Sequence, residues 1–238
     1  MQKINLRNEF YPVYSNRFLS IKKNIYCEGK DPESKSRSSN MAYIKTGVNQ
    51  PGIIELLFYK GSTGKALSNL AHTLLHGPSG LTQAERELIA SYVSKLNDCE
   101  FCHQSHSASA NAHLGDAGHT VGCLVEDINS AQVTNKLKAL LRLAAKVQQS
   151  GKLVSVQDIE TAKETGASDE DIHDAVLIAA AFCMYNRYVD GLGTTPAALD
   201  EYPDMGKRLA KKGYKYPPVF LRSFIVKLMN RKKKNKAT

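Results

Sequence analysis

Apolar positions recur at spacings of three and four along most of the chain, with glycine or an N-cap residue between runs, and this periodicity predicts helices. The first two predicted helices cover Ile53 to Tyr59 and Ala66 to His76, separated by the Gly61–Gly64 stretch. The clearest unit follows. Thr82 and Glu85 have the spacing of a capping box, and Leu88, Ile89, Tyr92, Val93 and Leu96 form one apolar stripe, so a helix is expected over about 83–96. Asn97-Asp98 turns the chain, and a second helix begins near Cys99 and runs towards Gly115, making a helical hairpin. Further helices are predicted at about 126–149, 155–165 and 169–189. No segment alternates with the period of two that marks a half-buried strand. The expected fold class is all-α, a helical bundle built around the hairpin that carries a CxxC pair.

Polar and charged positions divide this bundle from its ends. Residues 1–40 lack helical pattern and finish in Asp31-Pro-Glu-Ser-Lys-Ser-Arg-Ser-Ser-Asn40, which predicts a polar extension. The formal net charge of +9 is concentrated at the other end: residues 206–238 hold 12 of the 32 Lys and Arg and no acid, leaving 20 basic against 23 acidic residues before them. The expected organisation is therefore an extension (1–40), a helical domain (41–205) and a basic tail (206–238). The tail reads either as a solvated solubility segment or as a weak contact for an anionic surface. No specific nucleic-acid module is visible. The longest uncharged run, Ala175 to Asn186, is shorter than the roughly 20 residues of a spanning helix, and the amino terminus lacks a leader pattern, so a cytoplasmic protein is expected. The apolar helix around 175–189 suits a bundle interior or a subunit contact, which predicts a homo-oligomer.

Five cysteines in 238 residues are too few and too unevenly spaced for a secreted disulfide framework. Cys99-Glu-Phe-Cys102 instead predicts thiol chemistry. At a helix start the two sulfurs share a face with His106, four residues beyond Cys102, and an antiparallel hairpin brings Glu87 level with His106. A helix amino terminus and an imidazole should lower the thiol pKa from its usual ~8.5, and a carboxylate can relay the proton through His106 or a water. The second sulfur can then close a disulfide. Zinc would need a fourth ligand, for which only the isolated Cys123 offers itself. The string Cys99-Glu-Phe-Cys102-His103 also matches covalent haem attachment, which requires export. His72 and His76 share a helix face, yet their sequence neighbourhood supplies no third ligand, and His113 continues the Cys99–His106 stripe. Neither metal nor cofactor is assigned from the sequence.

At Glu87, Cys99, Cys102 and His106 the sequence resembles the alkyl hydroperoxidase D-like (AhpD-like) branch of the carboxymuconolactone decarboxylase superfamily, whose motif is Glu, eleven residues, Cys-x-x-Cys, three residues, His. The resemblance extends from about Met41 to Thr195 and includes the segment from Asp169 to Gly193. It implies a thiol-dependent peroxidase or disulfide oxidoreductase in which Cys102 attacks, Cys99 resolves, and His106 with Glu87 relays the proton. The implied partners are a small hydroperoxide and an external dithiol reductant of lipoyl or thioredoxin type. Some members place a histidine just before the second cysteine, where this chain has Phe101 and carries His103 afterwards. The alternative reading is a non-catalytic redox sensor or interaction protein whose CxxC switches state and whose tail docks a partner.

Overall fold

The computed structural model describes residues 42–116 and 118–236, with side chains to residue 231. The expected extension over 1–40 lies outside the described residues. Among the described residues there are ten α-helices: α1 (Ile53–Tyr59), α2 (Gly61–His76), α3 (Gln83–Leu96), α4 (Glu100–Leu114), α5 (His119–Glu126), α6 (Asn135–Gln149), α7 (Val156–Glu164), α8 (Asp169–Gly191), α9 (Tyr202–Lys212) and α10 (Arg222–Lys236). Among the described residues there is no strand, and no helix is long and apolar enough to cross a membrane.

Three helices start at capping boxes that the sequence writes out: Thr82 with Glu85 for α3, Ser155 with Asp158 for α7, and Ser168 with Asp171 for α8. Each satisfies amides that the first helical turn leaves without partners, an effect of about 1 kcal/mol per cap. The stripe of α3 buries Leu88, Ile89 and Val93 against Leu140, Leu141 and Ala144 of α6 and Ala175, Ile178 and Phe182 of α8. Full burial of a side chain of the Leu or Phe class contributes about 1.5–3 kcal/mol, so this seam fixes the bundle. The α3–α4 turn places Asp98 at φ 56°, a left-handed geometry that aspartate tolerates better than most residues. Asn97 anchors the turn: its Nδ2 donates to Asn186 Oδ1 of α8 at 2.8 Å, and its Oδ1 accepts from Gln148 Nε2 of α6 at 2.9 Å.

Three expectations need correction. The helix expected over 126–149 begins at Asn135; residues 127–134 form turns and irregular backbone after α5, which ends at Glu126, and Thr134 caps α6 through the Leu137 amide. Helix α2 begins at Gly61 rather than Ala66, and Gly64 packs so tightly on the Leu57 carbonyl that a Cβ there would lie 1.9 Å from its oxygen. The boundary expected at 205/206 falls inside α9. This helix buries Tyr202 and Met205 in a second apolar cluster with Cys99, Phe101 and Cys102. Gly206 permits the approach of α9 to α4, since a Cβ there would meet the Ala108 backbone at 2.3 Å. The start of the expected tail is thus a wall of the domain.

Candidate active site

The hairpin brings its carboxylate and imidazole into contact. Glu87, wholly buried on α3, accepts from His106 Nδ1 on α4 at 2.7 Å through Oε2. That bond fixes the tautomer and leaves Nε2 as the remaining basic nitrogen of the ring. Phe182 meets the imidazole edge-on at 4.6 Å and the Tyr214 ring lies over it at 5.6 Å, 19° from parallel. The Tyr214 hydroxyl donates to Glu87 Oε1 at 2.6 Å and lies 3.2 Å from His106 Nδ1. Burial and the neighbouring Glu87 carboxylate push the Tyr214 phenol well above its ordinary value, so it remains a donor.

Tyr214 reaches this position because α9 ends at Gly213, whose φ of +66° turns the chain inward. A Cβ at Gly213 would also come within 2.5 Å of His72 Nδ1, the atom that accepts the Tyr214 amide. Sequence reasoning missed Tyr214 because it lies among lysines in what reads as a tail. The only local signal was the Gly213-Tyr214 pair at the end of an amphipathic run.

Both sulfurs are free thiols, and both are buried. Cys99 is the N-cap residue of α4 and Cys102 lies in its first turn. Their surroundings differ. Cys102 lines a cavity of about 750 Å³ together with His106, Tyr214, Phe182, Met205 and apolar residues of α1 and α2, whereas Cys99 is not part of that lining. The Cys99 thiol instead hydrogen-bonds to Asp190 on α8. Three cations, Arg208, Lys212 and Lys215, line the cavity mouth without an acid among the lining residues.

The expected lowering of the Cys102 pKa is not what the packing produces. The hydrogen bond with Cys99 and burial push the Cys102 thiol well above its ordinary value; Asn186, which hydrogen-bonds to it, acts the other way. A low-dielectric pocket beside a second sulfur outweighs the helix amino terminus. His103 is turned away from the cavity, with Nδ1 3.1 Å from Ser91 Oγ and 3.2 Å from the Ser91 carbonyl. Cys123 lies on α5 beside His119, at 3.8 Å, so it does not complete a zinc site with the CxxC pair.

A profile of the carboxymuconolactone decarboxylase family matches residues 62–146, a span that holds Glu87, Cys99, Cys102 and His106. An uncharacterized peroxidase-related protein from Silicibacter sp. TM1040 is 27% identical, with a TM-score of 0.59 over 64% of this chain and 78% of its own. An uncharacterized peroxidase-related protein from Ralstonia eutropha JMP134, described as an alkylhydroperoxidase AhpD core, is also 27% identical, with a TM-score of 0.60 over 66% of this chain and 81% of its own. A protein of unknown function from Agrobacterium tumefaciens, named as a candidate antioxidant defence protein AhpD, shares the fold at 22% identity and a TM-score of 0.51, over 62% of this chain and 99% of its own. No curated protein matches the chain significantly. Residues 62–146 are thus similar to the carboxymuconolactone decarboxylase family, and the fold is the AhpD-like helical one.

Proposed function

We propose that the chain is a thiol-dependent peroxidase and disulfide oxidoreductase acting through Cys102 and Cys99. The observation that carries this reading is the asymmetry of the pair: Cys102 shares a cavity with His106 and Tyr214, while Cys99 stands outside that lining against Asp190. The protonated Cys102 thiol gives its proton to His106 as the sulfur attacks a hydroperoxide oxygen. The S–O bond forms, the O–O bond breaks, and the departing alkoxide takes the proton from the imidazolium to leave as alcohol, or as water from hydrogen peroxide. Glu87 steadies the transient imidazolium, and Tyr214 holds the second carboxylate oxygen. The Cys99 thiol, passing its proton towards Asp190, then attacks the Cys102 sulfenic acid. The S–S bond forms, the S–O bond breaks, and the leaving hydroxide takes that proton back from Asp190 to depart as water.

An external dithiol of lipoyl or thioredoxin type returns two electrons by exchange, and a reducing cytoplasm suits a pair that must be reset. The apolar cavity and its cationic mouth favour an organic hydroperoxide with an anionic head. The exposed Leu177 and Met184 on α8 suit association into a homo-oligomer.

The test is peroxide consumption by the reduced protein with dihydrolipoamide or thioredoxin as reductant. Cys102→Ser is expected to abolish consumption, and Cys99→Ser to stop after one equivalent with a sulfenic acid that dimedone traps. Undiminished turnover in Cys102→Ser would refute the proposal.

A further inference from the structure

Next to the His106–Glu87 pair, sharing Glu87 with it, three helices converge on a second constellation. His76 ends α2, Glu87 sits in α3 and His113 lies in the last turn of α4. We propose that His76, His113 and Glu87 bind a divalent transition-metal ion of the zinc class.

One ligand atom from each of the three residues lies within 4.8 Å of the others. Tetrahedral ligands with bonds of about 2.0–2.1 Å sit roughly 3.3 Å apart, so closing the triangle takes only small side-chain rotations. The donor set, two imidazole nitrogens and one carboxylate oxygen, suits zinc with a fourth position open to water.

A second, independent observation points the same way. The Nε2 atoms of both His76 and His113 are buried without a hydrogen-bond partner. Buried polar atoms are almost always satisfied, and two orphaned imidazole nitrogens beside one carboxylate are what an ion would complete. His76 Nδ1 faces the Gln83 side-chain amide at 3.1 Å. With the amide oxygen turned towards the ring, an exchange of two atoms of nearly equal size, Nδ1 carries the proton and Nε2 presents its lone pair outward. Gln83 then acts as the outer partner that orients a ligating histidine.

Charge also favours a cation here. The buried Glu87 carboxylate has His106 as its ion-pair partner, and that ring is cationic only when protonated. The neighbouring Arg86 guanidinium donates through Nη1 to the carbonyls of Leu74 and Gly77, and its charge also acts on Glu87 and His76. Each Glu87 oxygen accepts one hydrogen bond, from His106 or from Tyr214, and keeps a second lone pair for an ion. The Glu87 of the proposed relay is thus shared by two sites. Among the described residues, neither cysteine belongs to a cluster of three potential ligands.

The experiment titrates the reduced, metal-free full-length protein with Co²⁺ and Zn²⁺, reading heat of binding and the visible absorption of bound cobalt. One ion per chain is expected in the wild type and equally in the Cys99→Ser/Cys102→Ser double variant, without a thiolate-to-cobalt charge-transfer band. His113→Gln and His76→Gln, each checked for a native circular dichroism spectrum, are expected to weaken binding at least tenfold. Absence of binding in the wild type, loss of binding in the cysteine variant, or unchanged affinity in both histidine variants would overturn the proposal. The wild-type titration decides even if a histidine variant fails to fold.

Discussion

The Tyr214 hydroxyl donates to Glu87 Oε1 at 2.6 Å across a separation of 127 residues. It joins the segment after α9 to the α3–α4 hairpin at the atom opposite the one that His106 uses. A carboxylate held from both sides has a fixed position, and fixed position is what a proton relay requires. Tyr214→Phe leaves Oε1 without its donor inside the domain, so a loss of about 1–3 kcal/mol is expected in chemical denaturation. The relay would then lose alignment while both thiols remain. Peroxide turnover in Tyr214→Phe should fall less than in Glu87→Gln, for which a reduction of roughly 10²-fold or more is expected. Equal turnover in wild type and Glu87→Gln would remove the carboxylate from the mechanism.

The environment of Cys102 sets a pH dependence. Its thiol is pushed well above the ordinary value, first by the hydrogen bond with Cys99 and then by burial. The thiolate is the reactive form, so alkylation of Cys102 by iodoacetamide should be slow at neutral pH and keep accelerating as pH rises past 9. Cys99→Ala removes the leading cause and should shift the profile towards lower pH. The linked stability has the opposite course: the folded chain holds this proton more tightly than the unfolded one. The resulting stabilisation is fully present below the unfolded thiol's value and is lost as pH climbs through the folded one. Mass-resolved alkylation of Cys102 across pH 6–11 reads the effect, and an unshifted profile in Cys99→Ala would contradict it.

The hairpin and the Glu87–His106 contact were legible in the sequence because both rest on local rules, a capping box, a two-residue turn and helical spacing. Tyr214 was hidden. Its role depends on a backbone reversal at Gly213 and a non-local contact, while twelve Lys and Arg with no acid after residue 205 mask the buried face of α9. The direction of the Cys102 pKa was misread for a related reason. The helix amino terminus is visible in the motif, but the burial that opposes it comes from Val189, Tyr202 and Met205, far along the chain. His76 and His113 each share a face with residues on their own helix, and only the three-helix packing brings them to Glu87.

If residues 206–238 were a solvated appendage, their removal would leave the melting temperature unchanged. The structure predicts otherwise. Truncation after Met205 cuts α9 in its first turns and strips its packing from α4, exposing the Ala108 face against which Gly206 closes, and it removes Tyr214 from Glu87. A fall of roughly 10 °C or more in the unfolding midpoint is expected, given about 2–4 °C per kcal/mol for a chain of this size. Thermal unfolding followed at 222 nm measures it.

The cavity mouth supplies a test of substrate charge. Arg208, Lys212 and Lys215 are exposed and line the same cavity as Cys102, with no lining acid to neutralise them. Exposed cations act mainly on encounter and initial binding, and salt screens their effect over about 8–10 Å. Lys212→Glu should therefore raise KM for a fatty-acid hydroperoxide while leaving kcat close to wild type, because the thiols and the relay are untouched. Cumene hydroperoxide, which lacks the carboxylate, should show little change in either constant. Raising the salt concentration should shrink the difference between variant and wild type for the acidic substrate only. An equal rise in KM for both peroxides would mean that Lys212 shapes the cavity rather than selecting charge, and the anionic-head assignment would fall.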